Sequence, residues 1–410
     1  MFTGRFLGVK LFISDILDLI TYFVYWVYIY LRIPIIRRKK KIKVLFVLQE
    51  LGAWKTELLY LAMFKHPRFE PSIIVTEFKN QPMEKDILMA YLVNKGYEYY
   101  DYEQEPDAFD KVNADFVFYY KPYLGMYPKG TYFTSRRKTI PLSINYGFTI
   151  TELPQHIYRM IHVYSYRFFV ETKEVIDSQR KQLGFKTHNM RVTGTPMQDV
   201  LLQDRALFLD PWKDRQGKKR IIYAPHHSIS GTNSQGIEYA TILLFGEYLL
   251  ELAEKYKEQI TIAFKPHSAL HPKLLQIWGE EKTSVFYKKW ETLDNTQLEL
   301  GDYIGLFKYS DAMIHDCSSF IVEYQFMDKP TLFLTMDDGN YVESTLNKFG
   351  QDAYHCHSIA QNKEQIEKFV LEVIKGVDDN KKKREYLKKQ YLLPPNGKAA
   401  CENIIDAILG

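Results

Sequence analysis

From Ile42 onward the chain repeats one pattern: a short, fully apolar run, a polar turn, then a stretch with apolar residues every three or four positions. Apolar runs at 43–48, 72–75, 116–119, 140–146, 168–171 and 191–193 read as strands, and so do 220–224, 260–264, 312–314 and 331–334. Helical spacing covers 54–64 and 87–94, a stretch between 146 and 168, and then 237–256, 270–278, 303–308, 363–390 and 399–409. Strands that are apolar on both faces and alternate with helices need crossover connections. The result is a mostly parallel sheet with helices on both sides, an α/β fold. At 410 residues the chain is too long for one core. The polar stretch 199–219, with Pro211 and Gly217, reads as a linker. The expectation is therefore two doubly wound domains facing a cleft, over 43–215 and 216–410, after a distinct segment 1–42. Sheets of this kind bind ligands outside the carboxyl ends of their strands.

Segment 1–42 carries LITYFVYWVYIYLRIPII at 19–36, with Arg32 its one charge, followed at once by Arg37, Arg38, Lys39, Lys40, Lys41 and Lys43. A cleavable signal peptide has its basic residues before the apolar core, so this is not one. Three arrangements fit: a spanning helix, just long enough if Arg32 snorkels; an in-plane interfacial helix, which accounts for Asp15, Asp18, Trp26 and the many tyrosines; or a helix packed on the protein's own body. In either membrane arrangement the basic run meets anionic lipid and the rest of the chain lies on the cytoplasmic side. Cys317, Cys356 and Cys401 show neither metal spacing nor a disulfide framework, consistent with a reducing compartment. A net charge of +4 gives no indication of nucleic-acid binding.

Three polar clusters follow predicted strands of the second half: Pro225-His226-His227-Ser228, Lys265-Pro266-His267-Ser268 and His315-Asp316-Cys317-Ser318-Ser319. Strand ends of one sheet converge, so His226, His227, His267, His315 and Lys265 are expected to ring one pocket. Imidazoles that titrate near neutrality beside a permanent cation suit a phosphorylated ligand and proton transfer. Ser318 and Ser319 open a helix, where free N–H groups favour an anion. They also suit a plain helix cap. Glu323, one turn on, suits a ribose contact or a solvated helix position. His271, His355 and His357 read as structural or exposed. No HExxH or paired CxxC is present, so no metal is expected, and Gln49-Glu50-Leu51-Gly52 stands where a dinucleotide fold would carry GxGxxG.

At these residues the sequence resembles the CDP-glycerol glycerophosphotransferase family, enzymes of teichoic acid and capsular polymer synthesis. The likeness rests on YAPHHSI (223–229), AFKPHS (263–268), SDAMIHDCSSF (310–320), EYQFMDKPTLFL (323–334), FVET (169–172), VTGTPMQD (192–199) and the tail NGKAACENII. HDCSSFIVEYQFMDKP is also similar to the TDSGG…EE…GKP stretch of nonhydrolysing UDP-sugar epimerases, in the wider GT-B group. The resemblance implies a GT-B fold with two Rossmann-like domains, the first for the acceptor and the second for the nucleotide donor. It implies a CDP-polyol donor, diphosphate contacts at Ser318 and Ser319 with Lys265 and Asp316 nearby, and a ribose contact at Glu323. It further implies transfer of a polyol phosphate to a hydroxyl of a lipid-linked acceptor at the cytoplasmic face of a bacterial membrane, with CMP released. Catalysis would fall to His226, His227, His267 and His315, without a cofactor. One position departs from the pattern. Polymerase-type members carry His-Gly-Thr-Pro in the first domain, whereas this chain reads Asn145-Tyr146-Gly147-Phe148. A phenol with a pKa near 10 is a poor base at neutral pH. The rival readings are a GT-B glycosyltransferase with a nucleotide-sugar donor, and a membrane scaffold without activity.

Overall fold

The computed structural model describes residues 3–410 except 78–81, 123–125, 133–135, 137, 154–158, 214–216, 233–236 and 338, with no side chains before residue 18 or at 82. The expected linker and the helical stretch between 146 and 168 fall partly outside the described residues.

Two parallel sheets account for the expected alternation. The first runs β1 (Ile42–Leu48), β2 (Phe69–Val75), β3 (Tyr100–Asp101), β4 (Phe116–Tyr119), β5 (Ile140–Ile144), β6 (Arg167–Val170) and β7 (Met190–Val192), in spatial order β3-β2-β1-β4-β5-β6-β7. The second runs β8 (Lys219–Ala224), β9 (Ile260–Phe264), β10 (Thr296–Leu298), β11 (Ala312–His315), β12 (Thr331–Leu334) and β13 (Ser358–Ala360), in order β10-β9-β8-β11-β12-β13. In each sheet the order reverses once, between β1 and β4 and between β8 and β11. That reversal opens a crevice at the strands' carboxyl ends. Register aligns those ends in the second sheet: Ala224 stands opposite His315, and Tyr223 opposite Phe264. The three polar clusters therefore leave the sheet at one level.

The helices that position the site are α1 (Thr3–Arg37), α2 (Glu57–Lys65), α3 (Lys173–Leu183), α4 (Pro196–Leu202), α5 (Ile242–Lys255), α6 (Leu270–Thr292), α7 (Phe320–Glu323), α8 (Lys348–Tyr354) and α9 (Ala400–Leu409). Two differ from expectation. α7 is one turn, continued by a 3-10 turn over Tyr324–Met327, instead of a full helix. Its dipole is correspondingly small, which weakens the anion argument made for Ser318 and Ser319. α9 returns to the first domain. Cys401, Ile404, Ile405 and Ile408 share a core with β1, α2 and α1, and Arg37 Nε donates to Ile408 O at 2.9 Å. The second domain is thus not continuous over 216–410, because its last ten residues belong to the first domain's core.

α1 is also part of that core. Tyr22, Trp26, Ile29, Ile33 and Ile36 recur at helical spacing and are buried, with Trp26 edge-on to His188 at 4.2 Å. The opposite stripe, including Phe23, Val24, Val27, Leu31 and Ile35, is exposed. Asp18–Arg37 has the length and composition of a membrane span. Its inner stripe is nevertheless occupied by protein, as in the packed arrangement.

A second seam joins the domains. Phe148 and Ile150 pack with Phe326, Leu346 and Phe349, while Asn347 N–H donates to Ile150 O and Glu152 N–H to Thr345 O. Gly350 faces this seam because a Cβ there would lie 2.7 Å from Ile150 O.

Candidate active site

The loops after β8 and β9 bring His226, His227 and His267 together, with ring centroids 4.2–5.1 Å apart. Asp316, after β11, holds the first loop in place. Its Oδ1 accepts the His226 N–H at 2.5 Å, and its Oδ2 accepts the Thr241 N–H at 2.6 Å and hydroxyl at 2.8 Å. Asp316 is wholly buried, and burial lifts its carboxyl to about 6 against the pull of these donors. Both oxygens are committed inside the protein. Asp316 therefore positions His226, where the resemblance had implied a donor contact.

Hydrogen-bond partners assign the tautomers of all three rings. His226 Nδ1 faces the Ser228 hydroxyl at 2.8 Å and the Ser228 N–H at 3.3 Å. His267 Nδ1 accepts the Ala269 N–H at 3.1 Å. His227 Nδ1 faces Lys273 Nζ at 3.4 Å. Each Nδ1 is an acceptor, so each proton sits on Nε2. Burial holds His226 well below the usual imidazole value and His267 at about 3, and neighbouring His227 lowers both further. Burial lowers His227 as well, followed by Lys273, and it lowers Lys265. The site is thus lined by neutral N–H donors and lysine ammonium groups. The ring nitrogens lie within 4.8 Å of one another, close enough to share a metal ion. With each proton on Nε2, the three rings offer N–H donors beside the Lys265 and Lys273 ammonium groups. The set matches an anion.

His315 is placed differently. It is wholly buried, with Nε2 3.1 Å from His357 Nε2. His357 Nδ1 donates to Ala353 O at 3.0 Å, which leaves His357 Nε2 as an acceptor. His315 must then donate from Nε2 and accept the Cys317 N–H at Nδ1, 3.2 Å away. Gln325 Nε2 also reaches His357 Nε2, at 3.2 Å. Both nitrogens of His315 are consumed in a buried chain. The structure makes it a support for the Cys317–Ser319 turn and does not bring it to the pocket with the other three. His357 is structural in the same chain, and His355 is exposed on Glu343.

Ser318 and Ser319 are half-buried at the turn, and the Ser319 hydroxyl makes no helix-capping bond. Glu323 is buried and accepts the Tyr303 hydroxyl at 2.5 Å. Burial raises its carboxyl, opposed by Lys55 and Tyr303. Lys55 comes from the first domain and lies 4.7 Å over the Tyr303 ring, so the two domains meet at Glu323.

Sequence reasoning missed Lys273, Lys55 and Tyr303. Lys273 carried a usable signal: it lies in the first turn of α6, directly after the Lys265–Ser268 cluster. Lys55 and Tyr303 had none, because their meeting depends on how the domains pack. On the acceptor side, Tyr146 is exposed at the end of β5. Behind it, Asn145 links His162 Nε2 at 3.0 Å to the Thr149 hydroxyl at 2.8 Å, and Glu171 Oε1 accepts the Thr149 N–H at 3.1 Å. Glu171 Oε2 is buried with no hydrogen-bond partner among the described residues, and burial raises this carboxyl to about 7.

Comparison with known proteins bears on the fold and the family. Among solved structures, a variant of the wall teichoic acid polymerase TagF matches with a TM-score of 0.60 at 16% identity, covering 91% of this chain and 89% of that one. The S. aureus MnaA–UDP co-structure matches with a TM-score of 0.58 at 15% identity, over 90% and 96% of the two chains. Both likenesses establish a GT-B-like two-domain fold. The teichoic acid glycerol-phosphate primase of Bacillus subtilis (strain 168) is 29% identical over 168 residues, spanning 41% of this chain and 39% of the primase. The family model for CDP-glycerol:poly(glycerophosphate) glycerophosphotransferase matches residues 146–410, more than half of the chain and all of the second sheet. The chain belongs to the CDP-glycerol:poly(glycerophosphate) glycerophosphotransferase family.

Proposed function

We propose that the chain transfers a polyol phosphate, most simply glycerol phosphate from CDP-glycerol, to a hydroxyl of a lipid-linked teichoic acid or capsular polymer precursor. The observation that carries this reading is the cluster of three imidazoles with protons on Nε2 beside Lys265 and Lys273 at the strand ends. Lys265, Lys273 and the Nε2–H groups of His226, His227 and His267 would hold the donor's diphosphate. Ser318 and Ser319 would offer hydroxyls beside it, and Glu323 with Tyr303 would face the ribose. The acceptor oxygen attacks the phosphorus bearing the polyol, a new P–O bond forms, the bridging P–O bond breaks, and CMP departs with the bridging oxygen. The acceptor proton passes to a base or to water. Such a displacement depends mainly on alignment and neutralisation of charge. The diphosphate's charge would raise the neighbouring imidazoles toward protonation, so one of them could protonate the departing CMP.

The same reading places α1 in the plane of the cytoplasmic leaflet. Its inner stripe lies on the protein, its outer apolar stripe meets acyl chains, and Arg38, Lys40 and Lys41 meet anionic headgroups. An acceptor in the membrane would then reach the cleft without leaving it. Incubating the purified chain with CDP-glycerol and a lipid-linked acceptor should release CMP in step with acceptor elongation. Release of nothing across a panel of CDP-polyols would overturn the reading. Turnover of a UDP-sugar instead would favour the glycosyltransferase alternative.

A further inference from the structure

Lys55 reaches the donor side of the cleft from the first domain. It stands on the loop between β1 and α2, where the order of the first sheet reverses. The first domain itself fixes that loop. The Gln49 N–H donates to the Tyr120 hydroxyl at 2.7 Å, and buried Trp54 packs edge-on to Tyr60, Tyr91 and Tyr97. The Lys55 N–H then donates to Ala53 O at 2.9 Å. Its half-buried side chain crosses to the second domain, where Nζ lies 4.7 Å from the centroid of the Tyr303 ring.

Tyr303 donates its hydroxyl to Glu323 Oε2 at 2.5 Å, so one ring links Lys55 to the carboxylate proposed to face the ribose. The charge of Lys55 also acts on both sides of the donor site. Burial raises Glu323, and Lys55 opposes it; burial lowers Lys265, and Lys55 adds to it. Carboxylates are close as well. Asp302 Oδ1 accepts the Tyr303 N–H at 2.8 Å, and Asp302 and Glu299 both act on Lys265. Lys55 is therefore singled out by its position and not by an excess of charge. A ring face holds an ammonium more weakly than a phosphate oxygen does. In a nucleoside diphosphate the phosphate joined to the ribose lies between the ribose contact at Glu323 and the diphosphate contact at Lys265. It is also the phosphate that departs with CMP, and it gains one negative charge when the bridging P–O bond breaks.

We propose that Lys55 is a donor-site residue supplied by the first domain, whose ammonium contacts the nucleotide-proximal phosphate of the donor. This rests on the transfer reaction proposed above and adds to it a group that neutralises the departing CMP. Both domains then hold one diphosphate, Lys265 from one side of the cleft and Lys55 from the other. Because the charge on that phosphate rises as CMP leaves, Lys55 acts more strongly on the transition state than on the bound donor.

Lys55→Met keeps the length of the side chain without its charge, and Lys55→Arg keeps the charge. Calorimetric titration of the full chain with CMP, CDP-glycerol and cytidine, together with steady-state turnover of CDP-glycerol on a lipid-linked acceptor, tests the assignment on both variants and wild type. In Lys55→Met, CMP affinity should fall about tenfold while cytidine affinity stays within about twofold of wild type. Its kcat should fall by a larger factor than its affinity for CDP-glycerol. Lys55→Arg should return CMP affinity to within about threefold of wild type, since the contact is to a charge. Equal losses for CMP and cytidine would make Lys55 a support of the domain contact and overturn the proposal. Undiminished CMP affinity and kcat in Lys55→Met would overturn it too, with the donor reading left standing. Failure of wild type to bind either CMP or CDP-glycerol would overturn the donor reading itself, and this inference with it.

Discussion

Replacing His315 and His267 by alanine separately should produce opposite losses. His315 is wholly buried, accepts the Cys317 N–H and donates to His357. Removing an aromatic-sized side chain from such a site costs about 3 kcal/mol in lost packing. The orphaned Cys317 N–H adds roughly 1–3 kcal/mol, less what relaxation and entering water recover. A net loss of about 4 kcal/mol should lower the unfolding midpoint by roughly 10 °C for a domain of this size. His267 is half-buried, and its loss exposes only the Ala269 N–H. The midpoint of His267→Ala should therefore move little. Its cost appears in binding: one hydrogen bond to a charged phosphate is worth about 1.5–3 kcal/mol, or roughly 10–100-fold in Kd for CDP-glycerol. Differential scanning fluorimetry and donor titration on both variants, the latter well below the His315→Ala midpoint, measure the two effects. A His315→Ala protein with a wild-type midpoint and abolished donor binding would refute the tautomer argument and return His315 to the pocket.

Three further outcomes follow from the same structure. Val24→Glu and Leu31→Glu, on the exposed stripe of α1, should each reduce flotation with anionic vesicles about tenfold, from about 1.5 kcal/mol of lost apolar burial. Their unfolding midpoints should not change, and unaltered flotation would place the membrane contact elsewhere. Gly350→Ala drives a Cβ to 2.7 Å from Ile150 O and should destabilise the domain seam by about 1–3 kcal/mol, read as a lower midpoint and faster proteolysis near residue 150. A midpoint equal to wild type would show that the seam yields freely. Glu171 is raised from 4.5 to about 7, so the stability it contributes below pH 4.5 is lost as pH rises through 7. Glutamine does not titrate. The stability of Glu171→Gln relative to wild type should therefore shift by about 3 kcal/mol in the variant's favour between pH 4.5 and pH 8. A pH-independent difference would contradict the buried, half-satisfied carboxyl.

The long features of the fold were legible because they follow from local physics. β4 and β9 fall where apolar runs place them, and the strand-helix alternation leads directly to parallel sheets. β3, β10 and β13 were not legible: they are edge strands of two or three residues, and none of Tyr100–Asp101, Thr296–Leu298 and Ser358–Ala360 is an apolar run. Nor was the return of α9 to the first domain, since an amphipathic helix does not specify which core its face will meet. The convergence of His226, His227 and His267 could be anticipated because each follows a strand of one sheet. The different fate of His315 could not. It is the last residue of β11, and its partner His357 lies 42 positions away. The inner stripe of α1 was hidden for a related reason, because both of its faces are apolar and only the tertiary fold distinguishes them.

The central claim is that the histidine–lysine cluster is built for a nucleotide's diphosphate. Calorimetric titration with CDP-glycerol tests it most directly, on wild type and on Lys265→Ala/His267→Ala. The account predicts one saturable equivalent on wild type, with affinity falling at least a hundredfold in the variant and no comparable affinity for cytidine alone. Equal affinity in both proteins, or cytidine binding as tightly as CDP-glycerol, would contradict it.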